Sequence, residues 1–309
     1  MKKDEKHICI VGAAIMDLMG FTDYDIKIAD SVPGSWKEAP GGVGRNIAEN
    51  LTRLGVPTSL ITAFGDDPFS KMLIADALQT GIELTHCLHI KGGKAATFLA
   101  ILDKDHDLHT GIAALEIIQK LDINCLKKRQ EVLEDADIII ADTNIPEATL
   151  KWLSETPGLP QVYLDLVSMK LAEKVKSFYG NFHSIKANKF EAELLTGMTL
   201  KKQEDFKFAA EKMIDQGLER IFITAGVDGV FYRDKNDLGW AKPLLVEVKN
   251  TTGAGDAFMS GIAYASVHDK PIMECANTGL AAAAIALDST KAVNPDISKD
   301  LLAEYMGYL

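Results

Sequence analysis

The sequence predicts a doubly wound α/β fold with a mainly parallel sheet, helices on both faces and a small β-sheet lid. Short apolar, β-rich runs alternate with helical stretches for most of the length, and the runs are continuously apolar. Continuous apolar strands between helices are typical of parallel sheets that are covered on both faces. Two further segments break this rhythm, and they predict the lid.

Five apolar runs are the candidate buried strands, at residues 8–11, 59–62, 138–141, 162–165 and 221–224. Helical patterns lie around residues 44–54, 68–80, 146–155, 190–196 and 204–216. Two of the strands end in polar residues, Asp165 and Thr224. Open α/β sheets collect their ligand-binding groups at such carboxyl ends, so we expect the site there.

The two exceptional segments lie near residues 15–40 and 95–112. The first mixes apolar and polar residues without a helical period, and the second is typical of a hairpin with a polar turn. Strands outside the βαβ series predict a small separate sheet, placed as a lid. Because no repeat, low-complexity tract or linker is present, we predict a single domain over residues 1–309 with this lid as an appendage.

Composition limits the classes of function. The chain has 309 residues and a net charge of −11, which argues against a general nucleic-acid binder because that needs a basic face. No run approaches the ~20 apolar residues of a membrane span, and no signal-peptide core follows the charged start. The four scattered cysteines predict reduced thiols. We therefore expect a cytoplasmic protein with neither nucleic-acid nor membrane partners.

The most informative segment is Gly253-Ala254-Gly255-Asp256, which precedes a long helix-compatible run. The small residues leave the first amide N–H groups of the helix open to an anion, and the helix dipole favours negative charge there. Asp256 would repel a phosphate, so beside such a cradle it is better explained as a base for an attacking hydroxyl. An ordinary first-turn aspartate that complements the dipole fits this segment equally well.

Four other residues suit sugar binding. Gly41 and Gly42 open a second helix and would let a ligand approach the backbone, although a plain helix-entry turn is an alternative. Asn46 can donate and accept at once, which suits a vicinal diol. Asp17 follows the first strand by a few residues and could accept from two hydroxyls, or it could be a solvated loop aspartate.

A third motif places Asn188 and Glu191 three residues apart, on one face of a predicted helix. They can form a capping box, and Glu191 can also order water around a Mg²⁺; the two roles are compatible. Downstream, Thr224, Gly226 and Gly229 belong to a strand, glycine turn and strand that can admit a flat base or ribose.

The sequence lacks the motifs that several other catalytic or binding sites require. The seven histidines form no metal constellation, no G-x-S-x-G elbow supports serine catalysis, and no Walker P-loop occurs.

Taken together, the glycine pair near the start, the N-x-x-E at Asn188 to Glu191 and the G-A-G-D at Gly253 to Asp256 resemble the ribokinase-like (PfkB) carbohydrate and nucleoside kinases. The order and spacing of these motifs agree with those of the family, and the resemblance covers nearly the whole chain. The resemblance implies ATP-dependent phosphorylation of a sugar hydroxyl on a ribokinase-like fold.

Within that family, the chain resembles the members that phosphorylate the 5′-hydroxyl of pseudouridine, giving pseudouridine 5′-phosphate and ADP. Segments 12–17, 29–34, 40–50, 142–145, 165–168 and 294–296 carry this closer likeness. Another sugar or nucleoside acceptor, such as ribose, inosine or adenosine, is the alternative. A non-catalytic sugar-binding protein on the same fold is a third reading, and the intact Asp256 argues against it.

The resemblance also implies individual roles. Asp256 would be the base, with Gly253, Ala254 and Gly255 as the anion hole. The substrate would be held by Asp17, Gly41, Gly42, Asn46 and, at the nucleobase, Thr97. ATP would contact Asn188, Thr224, Gly226, Gly229 and Asn277, and Glu191 would hold Mg²⁺ through water.

Two further expectations concern a cation and a partner. Many relatives bind a monovalent cation through a loop aspartate near the anion hole, but this chain has Asn250 there, so a potassium site lacks its charged ligand. An exposed strand edge of the lid could pair across a homodimer.

Overall fold

The computed structural model describes residues 6–27, 29–105 and 107–308. His106, which the sequence places in the polar turn of the hairpin, lies outside them. The strands are β1 (Ile8–Val11), β2 (Ile15–Phe21), β3 (Ser35–Gly41), β4 (Thr58–Ile61), β5 (Ala63–Phe64), β6 (Leu88–His89), β7 (Ala96–Leu102), β8 (Leu108–Ala114), β9 (Ile138–Asp142), β10 (Gln161–Asp165), β11 (Ser184–Asn188), β12 (Arg220–Thr224), β13 (Val230–Arg233) and β14 (Leu238–Ala241).

The α-helices are α1 (Val43–Arg53), α2 (Pro68–Gln79), α3 (Ile123–Lys127), α4 (Gln130–Glu134), α5 (Glu147–Glu155), α6 (Met169–Ala172), α7 (Lys189–Thr196), α8 (Gln203–Asp215), α9 (Ala254–Val267), α10 (Ile272–Leu287) and α11 (Lys299–Met306).

The central sheet has eight strands in the order β14-β13-β12-β11-β10-β9-β1-β4. The six strands from β12 to β4 are mutually parallel, and β13 and β14 add an antiparallel edge. The predicted mainly parallel α/β fold is therefore confirmed. Because the parallel strands share one direction, their carboxyl ends meet along a single edge of the sheet.

Both faces of the central sheet are buried, which explains the continuous apolar runs. In β1, Ile8 and Ile10 belong to one apolar cluster and Cys9 and Val11 to another, as the two-residue period of a strand requires. Residues of α1, α9 and α10 complete the first cluster. Residues of α3, α5, α7 and α8 complete the second.

A small separate sheet lies in the two segments where the sequence predicts strands outside the βαβ series. Its order is β3-β2-β7-β8, with β2 and β7 parallel and the two outer pairs antiparallel. β2 leaves β1 across three residues, and β3 leads directly into α1. The small sheet is thus tied at both ends to the edge where the parallel strands finish. A two-stranded sheet of β5 and β6 completes the described strands.

Candidate active site

Two helices begin at the carboxyl edge of the central sheet, and each has a glycine at its N-cap. Gly42, before α1, has φ of 94°, and Gly253, before α9, has φ of 82°. Both values lie in the left-handed region that favours glycine. A Cβ would also overlap the carbonyl oxygen of Ala13 at Gly42 and that of Ala292 at Gly253. These glycines therefore bring the two helix starts close to neighbouring backbone.

Asp256, in the first turn of α9, meets Asn46 from the first turn of α1. The Nδ2 of Asn46 donates to the Oδ2 of Asp256 at 2.8 Å. Burial, together with the nearby charge of Asp165, raises the pKa of Asp256 to about 7, and the bond from Asn46 opposes this rise. A carboxylate with a pKa near neutrality is suited to accept a proton at physiological pH.

The backbone beside Asp256 has free hydrogen-bond donors. Within the described residues, the N–H groups of Gly253, Gly255 and Asp256 have no acceptor. That of Ala254 has only a long bond, 3.4 Å, to the carbonyl oxygen of Thr251. Such a helix start can bind an anion through its N–H groups and its dipole.

A buried lysine that the sequence analysis did not single out lies beside these donors. Lys186, near the end of β11, has a side chain 10% exposed, and its Nζ is 2.9 Å from Asp165 Oδ2. A Cβ on Gly255 would lie 3.1 Å from that Nζ. Burial lowers the pKa of Lys186, but Asp165 and Glu191 more than offset this and raise it. The lysine is therefore a permanent cation next to the free amides.

Asp142 is a second residue that the sequence analysis missed as a site component. From the end of β9, its Oδ2 accepts from the N–H of Ala13 at 2.8 Å and from that of Gly44 at 3.0 Å. Burial raises its pKa to about 6, against these bonds. Asp142 thereby joins the end of β1 to the start of α1, which carries Asn46. A position at a strand end, shared with Asp165, is the signal that could have identified it.

Asp17 lies inside β2 of the small sheet, so the alternative of a solvated loop aspartate does not hold. Its carboxylate has no hydrogen-bond partner among the described residues, and a Cβ on Gly41 would overlap Asp17 Oδ2. Burial raises the pKa of Asp17 to about 6, and Arg45 partly opposes this. A half-buried carboxylate with unused acceptors remains available for hydroxyl groups.

Thr97 is not brought beside Asp17. Thr97 is paired with Met16 in the parallel β2–β7 register, whereas Asp17 is paired with Phe98. Since paired residues point to the same side of a sheet and successive residues alternate, Thr97 and Asp17 lie on opposite faces. The hydroxyl of Thr97 donates to Ala95 O at 3.1 Å. Phe98 is the residue of β7 that shares the face of Asp17.

Most of the predicted nucleotide-binding residues line two adjoining cavities. One, of about 410 Å³, is lined by Thr224, Gly226 and Gly229 together with Gly255. The other, of about 470 Å³, shares Thr224 and Gly226 and adds Asn188. Among the residues with free amides at the start of α9, Gly255 thus lies at the wall of the first cavity. Asn277 of α10 lies outside the linings of both.

Asn188 and Glu191 form the capping box of α7. The side chain of Asn188 accepts from Glu191 N at 2.9 Å, and Oε2 of Glu191 accepts from Asn188 N at 2.7 Å. Glu191 is buried, and burial raises its pKa. The cap occupies one of its carboxylate oxygens.

Asn250 is bound within its own loop. Its Oδ1 accepts from Thr252 N at 2.9 Å, and its Nδ2 donates to Thr290 O at 3.4 Å. This amide bridges the loop before α9 to the segment after α10 without a negative charge.

Comparison with known proteins agrees with this geometry. Residues 5–299 match the model of the pfkB family carbohydrate kinases. The chain belongs to that family. It is therefore a phosphotransferase that acts on a sugar hydroxyl.

Individual relatives align with this chain over nearly its full length. The chain is 34% identical over 297 residues to the pseudouridine kinase of Escherichia coli strain K12, with 96% of this chain and 95% of that protein covered. A putative sugar kinase from Clostridium perfringens has a similar structure, with a TM-score of 0.88, 30% identity, and 99% and 96% coverage. The ribokinase of Arabidopsis thaliana, solved with ribose and ATP, has the same fold at 21% identity, with a TM-score of 0.83 and 98% and 99% coverage.

None of the helices in the described ranges combines the length and the apolarity needed to cross a membrane.

Proposed function

We propose that this protein transfers the γ-phosphoryl group of ATP to the 5′-hydroxyl of pseudouridine, giving pseudouridine 5′-phosphate and ADP. The observation that carries the catalytic part is Asp256, a buried carboxylate with a pKa raised to about 7, beside free helix amides and Lys186. The substrate part rests on the 34% identity to a pseudouridine kinase over 96% of the chain.

The reaction can be assigned to this chain's own residues. Asp17 would accept hydrogen bonds from the ribose hydroxyls and hold the nucleoside against the small sheet. Asp256 would take the proton of the 5′-hydroxyl while the bond from that oxygen to the γ-phosphorus forms and the bond to the β-phosphate bridge breaks. The free amides of Gly253 and Gly255 and the ammonium of Lys186 would stabilise the charge on the transferring group.

The nucleotide would occupy the cavity that begins at Gly255. Its other walls are largely apolar, with Val227, Leu245 and Leu280 among them, which suits a purine ring. The solved ribokinase of the same fold carries ATP, which supports ATP as the donor. Thr224, Gly226 and Gly229 would then contact the nucleotide, and Asn188 lines the cavity that adjoins the nucleotide cavity.

The charges of the site fit a magnesium ion. Burial and the nearby charge of Asp165 raise the pKa of Asp142, Glu191 and Asp256, so four carboxyl groups lie close together, and Lys186 is the cation that pairs with Asp165. Nucleotide phosphates would add further negative charge, so a divalent cation is needed for balance. Mg²⁺ keeps several waters and few carboxylate ligands, and Glu191 would hold it through water. When bound, it would neutralise the phosphates.

A panel of pseudouridine, uridine, ribose and adenosine, each with ATP and Mg²⁺, tests the proposal through kcat/KM. Pseudouridine has a ring N–H that uridine lacks, and a site that pairs this donor rejects the analogue strongly. We expect pseudouridine to be preferred by a wide margin. Equal values for pseudouridine and uridine, or a preference for ribose, would contradict the substrate and leave the kinase activity standing.

Another nucleoside or sugar acceptor is the second candidate, since Asp17 would recognise the ribose that several such acceptors share.

We place the protein in the cytoplasm because its four cysteines are free and buried. A homodimer through the small sheet is supported by its exposed apolar residues: Leu99 and Ile112 face each other across β7 and β8 and are 40% and 63% exposed. Asn250 has no charge where many relatives have an aspartate, so activation by potassium stays an open alternative, which assays with and without K⁺ decide.

A further inference from the structure

Arg45 is a buried arginine that the proposed reaction leaves without a role. It lies in the first turn of α1, next to Asn46, with a side chain 6% exposed. Its Nη1 donates to Asn46 Oδ1 at 3.0 Å. Its Nη2 lies 2.6 Å from Glu49 Oε2 and also contacts the carboxylate of Asp76 on α2. Two carboxylates thus hold Nη2 of the guanidinium, while Nη1 donates to the side-chain amide of Asn46.

These contacts determine which way the Asn46 amide points. A guanidinium can only donate, so the oxygen of Asn46 must face Arg45. The NH₂ group must then face Asp256, to which it donates at 2.8 Å. With the amide reversed, Arg45 would meet an NH₂ group and Asp256 would meet an oxygen, so both bonds would be lost. One oxygen of Asp256 is therefore occupied, and the other is left for the substrate hydroxyl.

We propose that Arg45 is a positioning residue that fixes the orientation of the Asn46 amide and, through it, the carboxylate of the base Asp256. The inference rests on the proposed function and adds a residue to its machinery. Arg45 touches none of the reacting atoms. Its anchors, Glu49 on the same helix and Asp76 on α2, make the orientation a property of how α1 and α2 pack.

The pH dependence of activity separates positioning from simple stabilisation. The groups that face Asp256 are Asp142 of β9, Asp165 of β10, Lys186 of β11 and Asn46 of α1. Of these four groups, Asn46 is the one for which the structure shows a hydrogen bond with Arg45. The bond from Asn46 lowers the pKa of Asp256, so releasing that amide raises this pKa. The acidic limb of the kcat/KM profile should then move to higher pH.

The first variant is Arg45→Lys, which keeps the charge but lacks the planar fork that spans Glu49 and Asn46. We expect kcat to fall about 10- to 100-fold, as for a lost hydrogen bond to a charged group, with nucleotide affinity unchanged. Arg53→Gln is the matched control. Arg53 also lies on α1 and pairs with Glu49 at 2.8 Å, but its other bond is to Pro295 O. Arg53→Gln should retain wild-type kcat and pH profile.

A double-mutant cycle tests whether Arg45 acts through Asn46. In the background of Asn46→Ala, Arg45→Lys should cause no further loss of kcat and no further shift of the acidic limb. An equal further loss in both backgrounds would overturn the inference. So would wild-type kcat and pH profile in Arg45→Lys alone, even with a lower melting temperature.

Asp76→Asn gives an independent reading if Arg45→Lys does not fold. The side chain of Asp76 is 34% exposed and contacts the guanidinium, so its replacement loosens Arg45 without removing it. We expect a smaller loss of kcat and a shift of the limb in the same direction; no change in either would overturn the inference. Wild-type protein without turnover on any acceptor would contradict the proposed function and the inference together. If wild-type protein turns over substrate but the variants show no change in kcat or in the pH profile, the inference alone is contradicted.

Discussion

Asp256 is a carboxylate whose burial costs stability and serves the proposed chemistry. Asp256→Asn keeps its size but cannot accept the proton, so we expect kcat to fall about 10²- to 10⁴-fold while ATP affinity changes little. Steady-state kinetics and ATP calorimetry on this variant measure both.

The melting temperature of the same variant tests the alternative role of Asp256. Its folded-state pKa of about 7 lies above the ordinary aspartate value, so its ionised form destabilises the fold increasingly as pH rises towards 7. Asp256→Asn should therefore melt no earlier than wild type, with a larger gain above neutral pH than below it. An enzyme that keeps its turnover and melts earlier would make Asp256 a dipole-complementing residue only.

The pH profile of kcat/KM is a separate prediction. The base must be ionised in the free enzyme, so kcat/KM should rise with pH through an apparent pKa of about 7. Asp17, with a pKa raised to about 6, should add a second, lower step because its ionised form accepts hydroxyl protons best. Asp17→Asn should remove the lower step and leave the upper one. A profile that is flat across neutrality would contradict the role of Asp256.

The position of Asp17 in the small sheet predicts that its replacement affects nucleoside affinity and not ATP affinity. Asp17→Ala should weaken nucleoside binding about ten- to hundredfold, as expected for a lost hydrogen bond to a charged group, and leave ATP binding unchanged. Calorimetry with each ligand separately measures this. Asp25→Ala is the control, since Asp25 follows β2 closely but is exposed and pairs with Lys104 on the surface. Unchanged nucleoside affinity in Asp17→Ala would remove Asp17 from the site.

The residues of the site were predictable to unequal degrees. Asp256 and its glycines could be proposed because an acid beside bare helix amides is unusual. Lys186 could not, since its role depends on Gly255, far along the chain. The strand-end position of Asp142 could have marked it as a candidate, but its bond to Gly44 could not be predicted. Thr97 could not be placed because sequence does not determine which face of the small sheet an inner-strand residue occupies. The partners of Asn46 likewise depend on the packing of α1 against α9.

At the scale of elements, the capping box of α7 allows its two proposed roles to be separated. Asn188→Ala removes the cap and should lower the free energy of unfolding by about 1 kcal/mol. Glu191→Gln keeps the capping box, because glutamine can also complete it, but removes the charge. We expect Glu191→Gln to unfold like wild type and to need more Mg²⁺ for half-maximal activity. Denaturant unfolding and a magnesium titration decide this, and an unchanged magnesium dependence would make Glu191 a cap only.

Most elements could be predicted because their local patterns agree with their environment. Runs of buried β-branched residues became β1, β9 and β12, and the helix predicted at residues 190–196 is α7. The antiparallel edge formed by β13 and β14 was not expected in full, because β14 (Leu238–Ala241) is only four residues long and includes a glycine. Its pairing with β13 through residues such as Trp240 and Phe231 is set by tertiary packing.

At the scale of the whole molecule, the small sheet determines the proposed oligomeric state. β8 is exposed along nearly its whole length, and Ile112 and Leu99 present apolar surface beside this open edge. An open edge with apolar side chains is a template for pairing with a second chain. We therefore expect sedimentation to give twice the chain mass of 33.6 kDa.

Ile112→Lys tests that prediction at the strand edge. A lysine there would place like charges together across a two-fold interface and discourage pairing, so the variant should sediment as a folded monomer. Phe208→Lys is the matched control, because Phe208 is 55% exposed on α8, outside the small sheet. It should remain dimeric. Since the small sheet carries Asp17 in β2, loss of the dimer should also raise KM for the nucleoside more than KM for ATP. A wild-type monomer, or a dimer that survives Ile112→Lys, would show that the small sheet serves the substrate within one chain and needs no partner.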